Sequence, residues 1–176
     1  ELEAQDYSGG KVRVMIDDRD IRGGEKNWHH VKRGVPLRAE IGPKDIAKNG
    51  AFLARRDTGE KAGVERSQFV ATIGQKLKEI QDNLFQRALK MREDNTRTID
   101  KLDDFLAYFT PKNAENPEIH AGFAMCHYHE GPELDELLKK HKVTIRCIPI
   151  SGAGEGGACF LTGKPSAKRA VFAKAY

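Results

Sequence analysis

The stretch Gly34–Lys61 (GVPLRAEIGPKDIAKNGAFLARRDTGEK) constrains the backbone more than any other part of this 176-residue chain. Val35, Leu37, Ala39 and Ile41 alternate with polar neighbours, the period of a half-buried strand. Gly42-Pro43 stops that strand, and Pro43 fits the first turn of a short helix running through Asn49. Phe52 and Leu53 then lead a second strand into Arg55, Arg56 and Asp57, and Thr58-Gly59 supplies the turn. Such a rhythm predicts a small sheet. It gathers Arg38, Lys44, Asp45, Arg55, Arg56 and Lys61 near strand ends and turns, where recognition groups usually sit.

Around this stretch the chain reads as α/β in two parts. Glu1–Ala4 resembles the tail of a helix, and the chain is expected to be a piece of a longer one. Val12, Val14 and Ile16 alternate and predict a first strand; Arg19–Trp28 reads as irregular or a short helix, weakened by Gly23-Gly24. Ala62–Arg66 extends a hairpin. From Ser67, the expected N-cap, Phe69, Ile73, Leu77, Ile80, Leu84 and Ala88 recur at three- and four-residue steps and predict a long amphipathic helix. Residues 1–98 form one expected domain and 99–176 a second, small α/β one. The second has a helix around Leu102–Phe109, a polar turn at Asn113–Pro117 and a strand at Ile119–Tyr128. A helix at Glu133–His141, a strand at Val143–Ile148 and a hairpin of Cys159–Leu161 with Ala170–Ala173 complete it.

Composition excludes several classes. No apolar run is long enough to span a bilayer and no signal-peptide pattern opens the chain, so no membrane partner is expected. Three widely spaced cysteines argue for a reducing compartment, and the cytoplasm is the expected location. A net charge of +4 is compatible with nucleic acid without requiring it.

Gly152, Gly154 and Gly157 satisfy G-x-G-x-x-G, but no helix is expected after them, so the motif reads as a hairpin loop. Gly163-Lys164-Pro165-Ser166 imitates a phosphate loop with proline where a magnesium-binding hydroxyl belongs, and reads as a turn. Cys126 and His127 adjoin on a strand and face opposite ways, which disfavours a nucleophile–base pair. Cys147, inside its strand, reads as a core thiol. By residue type alone, the charges around Arg38 serve equally as solvated ion pairs or as RNA contacts.

Five segments, in order, resemble prolyl-tRNA synthetases of the archaeal and eukaryotic-like type: Lys11–Asp20 (KVRVMIDDRD), Gly34–Asp45 (GVPLRAEIGPKD), Arg55–Lys61 (RRDTGEK), Thr144–Pro149 (TIRCIP) and Gly163–Tyr176 (GKPSAKRAVFAKAY). The resemblance implies a mixed-sheet anticodon-binding domain followed by that family's small C-terminal, zinc-domain-like domain. It implies tRNA(Pro) as partner, with Arg38 and Asp45 as readers of the two anticodon guanines, and Lys44, Arg55, Arg56 and Lys61 as further RNA contacts. The family's upstream aromatic run is replaced here by Lys26–Arg33, so Trp28 (or His30) takes the stacking role.

The resemblance further implies a class II proline–tRNA ligase whose catalytic domain, with its ATP and magnesium, lies outside these residues. No catalytic residue and no cofactor are expected within them. The full enzyme would be a homodimer, with Tyr176 directing its carboxylate toward the missing catalytic domain. The family's zinc site needs two cysteine pairs; here Cys126, His129 and Cys159 are what remains, and zinc is expected to be lost. A free-standing RNA-binding module and a protein-interaction module with the same fold are the alternatives.

Overall fold

In the computed structural model, which describes residues 1–113, 115, 122–150 and 155–174, the alternation of the Gly34–Lys61 stretch becomes a three-stranded antiparallel sheet. The chain divides into two compact units, Glu1–Ala88 and Leu89–Tyr176, upstream of the 98/99 boundary read from sequence.

The first unit opens with a short 3-10 turn at Leu2–Ala4 and a hairpin of β1 (Asp6–Tyr7) and β2 (Gly10–Lys11). α1 (Gly23–Lys32) follows, then β3 (Leu37–Glu40), α2 (Pro43–Ala47), β4 (Gly50–Arg55), β5 (Lys61–Glu65) and the 29-residue α3 (Arg66–Asp94). β4 is central, paired with β3 and β5. Its Ala51 and Leu53 are buried in one core with Val12 and with Phe69 and Ile73 of α3, and Leu37, Val64 and Leu77 pack against them. The spacing of Phe69, Ile73, Leu77 and Ile80 predicted this face of α3. Gly74 is needed there because a Cβ would stand 2.7 Å from the Asp6 carbonyl oxygen, in the hairpin.

Three expectations for this unit are corrected. Val12–Ile16 does not form a strand. Val12 is buried, its N–H bonding Gln5 O at 3.0 Å, but Val14, Met15 and Ile16 are exposed, Ile16 at 84%. Alternation makes such a segment extended; a ladder also needs a neighbouring backbone, and beyond Val12 none among the described residues pairs with it. The cap of α3 is Glu65 rather than Ser67: its Oε2 accepts the Gln68 N–H at 3.0 Å and the Ser67 hydroxyl. The Gly23-Gly24 pair does not prevent a ten-residue helix, because it occupies the first turn of α1.

The second unit contains β6 (Thr96–Thr98), α4 (Leu102–Phe109), β7 (Phe123–His127), α5 (Pro132–His141), β8 (Val143–Cys147), β9 (Gly157–Ala158), β10 (Pro165–Ser166) and β11 (Arg169–Lys174). Its four-stranded sheet runs β6-β7-β11-β8, with β6 and β7 parallel and the other pairs antiparallel, so this is the mixed sheet of the protein. Phe105 stacks on Phe160 at 4.4 Å and meets Phe109 and Phe172 edge-on at 4.8 and 5.7 Å. With Ala124, Cys126, Leu134 and Ala170 they form the core.

Here the expected hairpin of Cys159–Leu161 with Ala170–Ala173 is corrected. β11 is inserted between β7 and β8, Phe172 opposite Ala124 and Ile145. Cys159–Leu161 forms a turn whose Cys159 N–H bonds Lys164 O at 2.8 Å. Cys147, read as a core thiol, is exposed, because β8 ends the sheet with only Val143 buried. No described helix is long and apolar enough to cross a membrane.

Candidate nucleic-acid interface

Each predicted contact residue has a definite place. Arg38 lies on β3, 24% exposed at its side chain, with Nη2 2.8 Å from Glu40 Oε1. Its Nε is buried without a hydrogen-bond partner. Asp45 instead closes the first turn of α2: its Oδ2 accepts the Gly42 N–H at 2.9 Å while its own N–H bonds Gly42 O at 3.0 Å. That is the reciprocal closure expected of a helix whose third residue is acidic. Arg38 and Asp45 share no hydrogen bond or ion pair; the carboxylate beside Arg38 is Glu40. Lys44 is exposed on α2 and Lys61 is exposed at the start of β5.

Arg55 and Arg56 are held by the protein itself. Arg55 forks onto Asp57 (Nε–Oδ1 3.1 Å, Nη2–Oδ2 2.8 Å) and reaches Glu79 Oε2 at 3.3 Å. The Asp57 side chain is fully buried, and Asn83 Nδ2 donates to its Oδ2 at 2.8 Å. Arg87 Nη1 completes the knot by donating to the Asp57 carbonyl at 2.9 Å. The Arg55 fork holds the Asp57 carboxyl far below the usual carboxylate range; burial opposes this and Asn83 assists. The same pairing raises the Arg55 guanidinium above its ordinary value. This knot ties the β4–β5 turn to α3, and the motif RRDTGEK did not reveal it. The missing signal was pairing of Asp57 with Asn83 and Arg87, far along the chain. Arg56 Nε donates to Val31 O at 3.4 Å.

Trp28 stands 63% exposed on α1. That helix is tethered through Asp17, which takes a bidentate Arg19 (2.8 and 2.8 Å) and His30 Nε2 at 2.7 Å. Arg19 is the main reason that the Asp17 carboxyl titrates far below its usual range, against the opposing effect of partial burial.

In the second unit, Cys126 and Cys159 are buried while His129 is exposed. No three His, Cys, Asp or Glu residues cluster as a metal site among the described residues. Burial pushes the Cys126 thiol up to about 12. Cys159 goes the other way: burial raises it, but hydrogen bonds from Thr162, Leu161 and His129 outweigh that and lower it. His127 lies against the backbone of Gly157, where a Cβ would stand 2.4 Å from its ring. Gly163-Lys164-Pro165-Ser166 is a turn entering β10, with Gly163 at φ +71° and Ser166 Oγ donating to Lys168 O at 2.9 Å. Gly152, Gly154 and Tyr176 lie outside the described residues.

Comparison with known proteins matches these two units to two families. The family described as "Anticodon binding domain" matches residues 1–76, and "Prolyl-tRNA synthetase, C-terminal" matches residues 116–176. The chain carries, in order, an anticodon-binding domain and a prolyl-tRNA synthetase C-terminal domain. It is 54% identical over 176 residues to the "Proline--tRNA ligase" of Rhodopirellula baltica, covering 100% of this chain and 34% of that protein. It is 48% identical to "Proline--tRNA ligase 2" of Anaeromyxobacter dehalogenans over 100% of this chain and 36% of the relative. The "Proline--tRNA ligase" of Bdellovibrio bacteriovorus is also 48% identical, over 100% of this chain and 35% of its own length. The chain thus spans about a third of the curated relatives that it matches.

Proposed function

We propose that this chain binds the anticodon loop of tRNA(Pro) for a proline–tRNA ligase, the first unit reading RNA and the second serving as the family's C-terminal domain. The observation that carries this reading is the match of an anticodon-binding domain and a prolyl-tRNA synthetase C-terminal domain, in that order, along one chain. Activation of proline with ATP and magnesium belongs, in this reading, to the part of the relatives beyond the matched span, and residues 1–176 need no cofactor of their own. The working protein is a cytoplasmic homodimer, and no zinc is needed by its C-terminal domain.

Unstacked loop bases expose edges that side chains can read by hydrogen bonds. The Arg38 guanidinium suits guanine O6 and N7, and the Glu40 carboxylate beside it holds the fork in one orientation. Asp45, engaged in closing α2, offers its second oxygen to a base amino group. Lys44 and Lys61 are exposed cations suited to phosphates, while Arg55 and Arg56 contribute by fixing the turn that carries Lys61.

The deciding experiment compares binding of proline tRNA with that of the same tRNA mutated at both anticodon guanines. Selective binding that weakens steeply with salt supports the reading. Equal affinities would overturn the assignment of Arg38 and Asp45 as readers.

A further inference from the structure

The sheet of the first unit has one packed face and one open face, and strand register says which residues stand on each. Arg38 lies opposite Ala54, and Ala54 opposite Lys61. One step along, Glu40 lies opposite Phe52, and Phe52 opposite Gly63. Residues directly opposed across strands share a face, with Cβ atoms about 4.5–5.5 Å apart. So Arg38, Glu40, Phe52, Ala54, Lys61 and Gly63 form one surface, while Ala51 and Leu53, the alternate residues of β4, are buried with α3.

Phe52 is the anomaly on that surface. It is a large aromatic, 39% exposed, at the centre of a sheet flanked by charges. Its neighbour on β5 has no side chain, and a Cβ built on Gly63 meets nothing within 4 Å. One flank of the ring therefore opens on empty space, and the next row along the strands is Arg38, Ala54 and Lys61, with only a methyl group at its centre.

We propose that Phe52 is the platform on which an unpaired base of the bound RNA stacks, with Arg38 and Lys61 on the same face engaging that nucleotide's edge and its phosphate. This rests on the RNA-reading function above and moves the stacking role from Trp28 to a residue the sequence reading used only as strand filler. The chemistry favours RNA: every base offers a flat π face to an aromatic ring, and the backbone beside it supplies an anion for the exposed Lys61. Arg38, paired with Glu40, keeps further N–H groups for the base edge. An apolar peptide would cover the ring but bring no anion to the exposed Lys61.

The test uses the 176-residue chain and a fluorescein-labelled proline anticodon stem-loop, read by anisotropy, with circular dichroism as the folding control. Phe52→Leu keeps an apolar side chain without a π face and is expected to weaken binding roughly 5- to 150-fold. Phe52→Tyr keeps the ring and is expected to stay within about two-fold of the parent. Phe52→Leu binding like the parent, while Arg38→Ala weakens it, would overturn the platform and leave the tRNA reading standing. Phe52→Tyr as weak as Phe52→Leu would overturn stacking, as would equal loss toward a loopless RNA duplex. Failure of the parent chain to bind the stem-loop at low salt would overturn both readings together.

Discussion

The two units close their sheets differently, and the difference indicates where recognition can occur. In the second unit the central strand β11 is paired on both sides, and its Ala170 and Phe172 are completely buried. Aromatic rings fill the space above it, so that little beyond packing is left for that face to do. In the first unit only one face of β4 is packed. The other presents Phe52 between Glu40 and Gly63, one row along from Arg38 and Lys61, and the polar knot around Asp57 anchors the turn that carries Lys61. A face that is not required for the core is free to bind.

Substitutions can break this contrast. Phe172→Ala should cost about 4 kcal/mol, the range for emptying a fully packed aromatic site, and it should leave RNA affinity per folded molecule unchanged. Denaturant titration combined with stem-loop binding checks both halves. Asp57→Ala should cost about 3 kcal/mol by stranding Arg55 beside a partly buried turn. Because the sole tryptophan, Trp28, lies in the first unit, its emission should shift at lower denaturant in this variant while the near-ultraviolet signal of the second unit's tyrosines does not. Arg38→Ala should weaken binding by about 1–3 kcal/mol and relax the preference for guanine, with unfolding midpoints unaltered.

A subtler effect is pH dependence. The Asp57 carboxyl is depressed in the folded chain, mainly by Arg55. Its stabilising contribution is therefore complete above the ordinary carboxylate range, near pH 4, and is lost as pH falls below it toward the folded value. Acid titration of Trp28 emission should show this, and Asp57→Asn should flatten the slope below about pH 4. The smallest effect concerns thiols. Exposed Cys147 should react with a thiol reagent at once, whereas Cys126, buried and raised to about 12, should react only on unfolding.

Local patterns predicted α3, α4, α5 and the β3–β4 pair, because burial of one helix stripe or one strand face is written directly into residue spacing. Charged motifs were less informative. RRDTGEK offers three cations of similar appearance, yet Arg55 is committed to Asp57 and Lys61 is not. Likewise the motifs did not show that the carboxylate paired with Arg38 is Glu40, or that Asp45 closes the first turn of α2. Spacing along a chain does not reveal which partners lie across a sheet or one helix away.

Read alone, the chain of residues specified an α/β protein, its long helix, and five ordered segments of prolyl-tRNA synthetase character. Those properties depend on periodicity and on short motifs, each confined to a few neighbouring positions. Only tertiary structure decided that Val14–Ile16 pairs with no strand among the described residues, that β11 enters the middle of its sheet, and that Phe52 shares a face with Arg38 and Lys61. Each of these depends on strand pairing between distant segments, where a shift of one residue would turn every side chain to the opposite face.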